Sequence, residues 1–224
     1  MKILSVDTSS AICSISILEN EKVIDELNID NGKTHSETLM PSIMEILQNN
    51  NLKISEIDLL SCVIGPGSFT GIRIGVACVK AISEVNNIPI ASVTSLETLA
   101  RIDNSEKNKI VLIDARNNQV YCGVFDKNYN KLEDYMADDI LIILEKIKKY
   151  NNSIFIGDGS VLHKDIILEK FKYAQFAEFN KQLSKNAGKI AYQKYLKNEL
   201  KTADTILPIY LRKSQAERMK KRND

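Results

Sequence analysis

Apolar residues along this chain recur with two different periods, and the switches between them mark its elements. Residues 2–7 form an apolar run closed by Asp7. After a polar turn, Cys13, Ile15 and Ile17 alternate with Ser14 and Ser16. A period of two predicts a strand with Cys13, Ile15 and Ile17 on its inner face. Glu19-Asn20-Glu21 turns the chain into a third strand near residues 22–29. Thr34 to Asn50 carries Leu39, Ile43, Ile46 and Leu47 at helical spacing. A buried strand is expected at Leu59 to Ile64, a helix at Gly71 to Asn87 and a short strand at Pro89 to Val93. A short helix follows at Ser95 to Ile102, with Ser95 as its N-cap.

The pattern then repeats. A strand ends at Asp114, a polar turn follows, and Val120, Cys122 and Val124 alternate with Tyr121 and Gly123. Asp7 and Asp114 are 107 residues apart, and the same offset lays Cys13, Ile15 and Ile17 on Val120, Cys122 and Val124. This predicts two similar halves. The polar stretch DNSEKN, Asp103 to Asn108, is the expected hinge, giving halves of 1–103 and 104–224. The second half continues with helices at 138–150, 161–171 and 184–200 and a strand at 153–156. Strands followed by alternating helix and strand define an α/β class.

Composition narrows the reading only a little. The 224 residues suffice for one large domain or two small ones with a real core. Net charge is +1, so bulk charge selects no partner. The longest purely apolar runs, such as Ile140 to Leu144, are far short of the roughly 20 residues of a membrane-spanning helix. No basic leader precedes the early apolar stretch, which Asp7 interrupts, so no signal peptide is expected. Cys13, Cys62, Cys78 and Cys122 are scattered without a CxxC pair. Buried free thiols in a reducing cytoplasm are expected, rather than disulfides or zinc.

The stretch GPGSFTGIRIG, Gly65 to Gly75, holds four glycines. A phosphate loop of the G-x-x-x-x-G-K-[S/T] type fails on spacing, and Ile72 stands where lysine is needed. A G-x-G-x-x-G loop fails because Thr70 occupies the third glycine position. Gly67, Gly71 and Gly75 do lie four apart, so Gly71 and Gly75 share one face of a helix beginning near Thr70. Each costs the helix about 1 kcal/mol relative to alanine. Something therefore packs against bare backbone there: this protein's own sheet, or another chain.

The strings ILSVDTS, HSETLMP, GPGSFTGIRIGVA, LIDAR and GDGS occur in this order across nearly the whole chain. Together they resemble the TsaB (YeaZ) family of bacterial tRNA threonylcarbamoyladenosine synthesis. The resemblance implies an actin, sugar-kinase and chaperone-ATPase fold: two duplicated halves, each a mixed sheet flanked by helices. It implies a cytoplasmic, non-catalytic dimerisation subunit that pairs with its catalytic relative TsaD, or with a second copy of itself. It also implies the small ATPase TsaE at the junction, tRNA reached through the complex, and no membrane. The implied pairing surface is Leu39, Ile43 and Leu47 of the first helix with Gly71, Arg73, Ile74, Gly75, Val76, Ala77, Lys80 and Ala81 of the second. TsaD carries a His-x-x-x-His metal motif that falls here on SLETL, where Ser95 and Leu99 replace both histidines. Leucine ligates no metal. In this fold the two strand-end turns and a later glycine pair hold nucleotide, which places Asp7, Thr8, Ser9, Asp114, Gly157 and Gly159 at a nucleotide-like cleft. Ala115-Arg116 lacks the glycine of such a turn. No cofactor held tightly by this chain alone follows, with ATP or ADP left to the interface of the complex.

The remaining candidates are weak. His35 and Glu37 are two apart and face different sides of a helix, which disfavours joint metal binding. His163 reads as a surface or capping residue. With two histidines and no G-x-S-x-G turn, a hydrolase has little support. The tail RKSQAERMKKRND reads as a solvated end or as a source of phosphate contacts to tRNA. The competing functions are an ATP-dependent phosphotransferase of the same fold and, more weakly, a metal-dependent peptidase.

Overall fold

The protein is described here by a computed structural model covering residues 1–212. All of the basic tail beyond Arg212 lies outside the described residues.

The first sheet contains β1 (Lys2–Asp7), β2 (Cys13–Glu19), β3 (Lys22–Ile29), β4 (Leu59–Val63) and β5 (Ile90–Val93), in the order β3-β2-β1-β4-β5. The second contains β6 (Asn108–Asp114), β7 (Gln119–Phe125), β8 (Met136–Asp139), β9 (Ser153–Ile156) and β10 (Gln175–Phe176), in the order β10-β9-β6-β7-β8. Read from its own first strand, each sheet has the same connectivity: a meander of three antiparallel strands, then parallel strands on the other side. The duplication expected from sequence is present.

Its register is not gapless. Cys13, Ile15 and Ile17 occupy the core face of β2 as Val120, Cys122 and Val124 do on β7. In β1, however, Asp7 pairs with Ser14, whereas in β6 it is Ile113 that pairs with Tyr121. The first strands are one residue out of step, because the second turn is one residue longer. Strand side chains alternate between faces, so Asp7 and Asp114 point to opposite sides of their sheets.

Helices α1 (His35–Asn49) and α2 (Phe69–Asn86) cover one face of the first sheet. Thr34 starts α1 through a capping box with Glu37. The second sheet has α4 (Ile140–Lys146) and α6 (Lys164–Lys170) on its corresponding face. Asp138 and Asp139, expected inside α4, finish β8, and Asp139 caps the helix by accepting from the Leu141 N–H. The helix expected at 161–171 is two, α5 (Asp158–Leu162) and α6, joined at His163.

The opposite faces are covered crosswise. Helix α3 (Ser95–Ala100) comes from the first half, yet Leu96 and Leu99 pack with Val111, Ile113 and Phe125 of the second sheet. Thr94, not Ser95, caps it, again with a capping box, to Glu97. Helix α7 (Ser184–Leu196) comes from the second half, yet Ala191 packs with Ile3, Leu18, Leu59 and Ala91 of the first sheet. Division of the chain at 103/104 therefore describes the sheets but not the packed bodies: the lobes exchange a helix. Ser14 and Ser16, read as an outer polar face, are fully buried beneath α7. The Ser14 hydroxyl accepts from the Ser184 N–H at 2.8 Å, and the Ser5 hydroxyl donates to the Ser184 carbonyl at 2.7 Å.

Candidate functional site: an interlobe cleft and a helix pair

The lobes face each other across a cleft of about 800 Å³. One wall is the β1–β2 turn with the start of α2; the other is the β6–β7 turn with the start of α5. The side chains that would grip a phosphate from the first turn are spent inside the protein. Asp7, Thr8 and Ser9 are each 1% exposed. Asp7 Oδ1 accepts from the Ser9 N–H and hydroxyl, and burial pushes its pKa up against those bonds. The Ser9 hydroxyl also reaches Gln182 Oε1 at 2.6 Å, and the Ser9 carbonyl accepts from the Ser68 N–H at 2.8 Å.

The glycines of α2 explain this seal. A Cβ at Gly71 would lie 2.1 Å from the Thr8 carbonyl oxygen, and one at Gly75 2.3 Å from Thr8 Oγ1. The Thr8 hydroxyl donates to the Gly71 carbonyl at 2.8 Å. The other body that approaches this bare backbone is thus the protein's own first turn.

The second turn is more open. Arg116, Asn117 and Asn118 are all left-handed, with φ of 62°, 56° and 58°. Asp114 Oδ1 accepts from the Arg116 N–H at 2.8 Å, as Asp7 does from Ser9. Asp158 accepts from the Asp114 and Gly159 N–H groups, and burial, aided by the nearby Asp114 charge, raises its pKa. Gly157 and Gly159 face no open pocket. A Cβ on Gly157 would sit 2.2 Å from the Leu112 carbonyl oxygen, and one on Gly159 3.0 Å from the Asp114 nitrogen. Both permit α5 to cross β6 closely. An ATP grip built from two glycine-bearing turns does not fit these residues.

The helix pair presents a different face from the one expected. Leu39, Ile43, Leu47, Gly71, Gly75 and Val76 are buried, four of them in the first-lobe core cluster, and offer another chain little surface. The apolar stripe legible in the sequence is the core face, as it is for most amphipathic helices. Ile74 is half-buried against the same core. Ala77 and Ala81 are exposed, and Lys80 is half-buried. Arg73 is exposed but engaged, with its guanidinium 3.8 Å from the centroid of the Phe69 ring. Beside Ala77 and Ala81 lie side chains the sequence reading passed over: Met40 (46% exposed) and Met44 (65%) on α1, and Val85 (81%) on α2. Met40 Sδ is 3.2 Å from Cys78 Sγ, which joins the two helices into one surface. Burial raises the Cys78 thiol to about 11.

Ser95 and Leu99 stand in place of the histidine pair that the resemblance implies for TsaD. The Ser95 hydroxyl is buried and donates to the Pro66 carbonyl; Leu99 is core. Among the described residues no cluster of three His, Cys, Asp or Glu could hold a metal. His35 Nε2 lies 2.8 Å from the Ser10 carbonyl oxygen, while Glu37 caps α1, so the two act separately. His163 is buried, not on the surface, and takes the capping place expected of it, as the C-cap of α5 and the N-cap position of α6. Among the described residues no helix is long and apolar enough to cross a membrane.

Two duplicated lobes of this connectivity, facing each other across a cleft, make up an actin-like α/β fold. An activator of 2-hydroxyisocaproyl-CoA dehydratase from Clostridium difficile, solved with bound ADPNP, shares the fold with a TM-score of 0.51 over 94% of this chain and all of that one, at 11% identity. YeaZ from Pseudomonas aeruginosa superposes with a TM-score of 0.75 over 94% of this chain and 99% of its own, at 22% identity. Residues 29–220 match the family model described as TsaD, tRNA N6-adenosine threonylcarbamoyltransferase. The tRNA threonylcarbamoyladenosine biosynthesis protein TsaB of Bacillus subtilis (strain 168) is 32% identical over 97% of this chain and 96% of its own; that of Escherichia coli (strain K12) is 24% identical over 96% of each. The chain belongs to the TsaB (YeaZ) family.

Proposed function

We propose that this chain is the non-catalytic scaffold subunit for threonylcarbamoyl transfer to the adenosine beside the anticodon in tRNAs reading A-starting codons. It docks the catalytic relative TsaD on the outer face of α1 and α2, and in TsaD's absence pairs with a second copy there. TsaE joins at the junction, and tRNA is reached through the complex. ATP or ADP, where bound, is held between subunits and not by this chain alone. The setting is the cytoplasm.

The carrying observation is the exposed face formed by Met40, Met44, Ala77, Ala81 and Val85, sealed between the helices by Cys78. Small alanines let a partner helix approach, and flexible methionines fill its grooves. The absent histidine pair at Ser95 and Leu99 supports placing catalysis in the partner. The closed first turn speaks against a stand-alone phosphotransferase.

Reconstitution tests this reading. Unmodified tRNA, threonine, bicarbonate, ATP, the adenylate-forming enzyme, TsaD and TsaE are combined with and without this chain, and labelled threonine in tRNA is counted. Incorporation is expected only with the chain present. Equal incorporation without it overturns the scaffold role.

A further inference from the structure

The segment after α7 turns back across the cleft mouth. Ile206 is buried in the first-lobe core, and the Ile209 N–H donates to the Ile64 carbonyl at 2.8 Å. The Tyr210 ring lies on Phe69 with centroids 4.7 Å apart. Arg73 Nε donates to the Tyr210 hydroxyl oxygen at 2.9 Å while its guanidinium covers Phe69. Leu211 then leaves the first lobe and packs against the cluster of Val111, Ile113 and Phe125 in the second. Arg212 Nη1 donates to the Ala115 carbonyl at 2.5 Å, at the start of the β6–β7 turn.

We propose that residues 206–212 form a strap that locks the two lobes at a fixed separation, with Arg73 of α2 as its latch. Two passes of the chain already join the lobes, near 93–95 and 176–184. Between those crossings α3 and α7 pack side by side, tied by Lys194 to Glu97 and Arg101 to Gln193, and two bodies joined along one such side turn about it as a hinge. The strap adds a tie at the cleft mouth. Its two ends are anchored in different hydrophobic clusters, and its last link is a charge-assisted hydrogen bond to backbone. Stacking between Phe69, Tyr210 and Arg73 holds the middle of the strap against α2. Lobe separation is then set by the chain itself and not by a ligand in the cleft. This inference is independent of the docking reading.

Pulsed dipolar spectroscopy on the full chain measures the separation directly. Labels at Glu45→Cys and Glu169→Cys report on opposite lobes, in a Cys78→Ser background because the other three thiols are buried. The parent is expected to show one narrow distance. Arg212→Ala combined with Leu211→Ser should broaden it, and amides of 115–119 should exchange about tenfold faster, as expected from loss of one charge-assisted hydrogen bond. Arg73→Lys keeps the charge but loses the planar stack, and should broaden the distribution less. Should the double variant fail to fold, Arg212→Ala alone decides, since it leaves Leu211 in its cluster. A folded variant whose distance distribution superimposes on the parent overturns the strap.

Discussion

Gly75→Ala should destabilise the monomer through one contact, and a second substitution should reverse the effect. The helix itself gains about 1 kcal/mol from alanine. The new Cβ would sit 2.3 Å from Thr8 Oγ1, whereas Thr8 Cβ and Cγ2 stay at 3.6 and 3.8 Å. Thr8 is 1% exposed, and its hydroxyl donates to the Gly71 carbonyl. Turning that side chain away leaves the buried Thr8 hydroxyl unpaired, at about 1–3 kcal/mol, with packing strain of similar size, while the Gly71 carbonyl keeps its helical bond. The net loss should be roughly 2 kcal/mol. In a Thr8→Ala background the closest remaining atom is Cβ at 3.6 Å, an ordinary contact. There Gly75→Ala should be neutral or stabilising by up to about 1 kcal/mol. The coupling between the two sites should thus be about 2–3 kcal/mol. Urea unfolding of the four proteins measures it. An equal effect of Gly75→Ala in both backgrounds, or a gain in the parent, refutes the argument. Gly71→Ala should be worse than Gly75→Ala, because it meets the Thr8 backbone oxygen rather than a movable hydroxyl.

Met44→Lys or Ala81→Glu should abolish pairing with TsaD in size-exclusion chromatography while leaving the melting temperature within about 2 °C, as for exposed sites generally; intact pairing by both removes this face from consideration. Asp7→Asn should stabilise the protein at pH 7. The folded pKa of Asp7 is raised, so its favourable contribution is complete below the ordinary carboxylate value of 3.8 and is lost as pH rises through the folded value. The advantage of asparagine should therefore shrink as pH falls toward 4 in parallel melts, and a constant advantage would contradict the burial argument. Ser184→Ala should cost about 1–2 kcal/mol by removing hydroxyl bonds to Ser14 and Ser16, read by urea unfolding. Calorimetric titration of the isolated chain with Mg-ADPNP should show no tight binding; a micromolar site would return the phosphotransferase to contention.

The strands and the two long helices of the first lobe were legible because each obeys a single period. Helix α1 lies within one residue of its expected bounds, and β1 to β3 fall where alternation and turn residues put them. The duplication was legible for the same reason. What periodicity could not supply was what covers a face. Ser14 and Ser16 look solvated because hydroxyls are polar, but small hydroxyls can be buried when another element brings partners. That element is α7, whose place on the first sheet follows from a crossing far along the chain. The expected contact residues went to the apolar stripe of α1 and α2, where the core was certain to be. Met40 and Met44, four apart and flanking the Leu39–Ile43 stripe, carried the signal for the outer face. Ser95 as a cap failed because Thr94, one residue earlier, has Glu97 three residues on, the reciprocal pairing a capping box needs. The tie through Tyr210 and Arg212 left no mark in sequence, since two residues of a polar-flanked segment have no period.

The hydroxyl seam beneath α7 bears on more than stability. A contact made only of aliphatic groups lets a helix slide by a fraction of a turn, because dispersion contacts re-form almost anywhere. The bonds from Ser5, Ser14 and Ser16 to Ser184 close at one position and one rotation only. They act as an index mark for α7 on the sheet. The chain that leaves α7 starts from that phase, and the bonds of Lys201 to Ile90 and Ile209 to Ile64 then carry it to where Tyr210 meets Arg73.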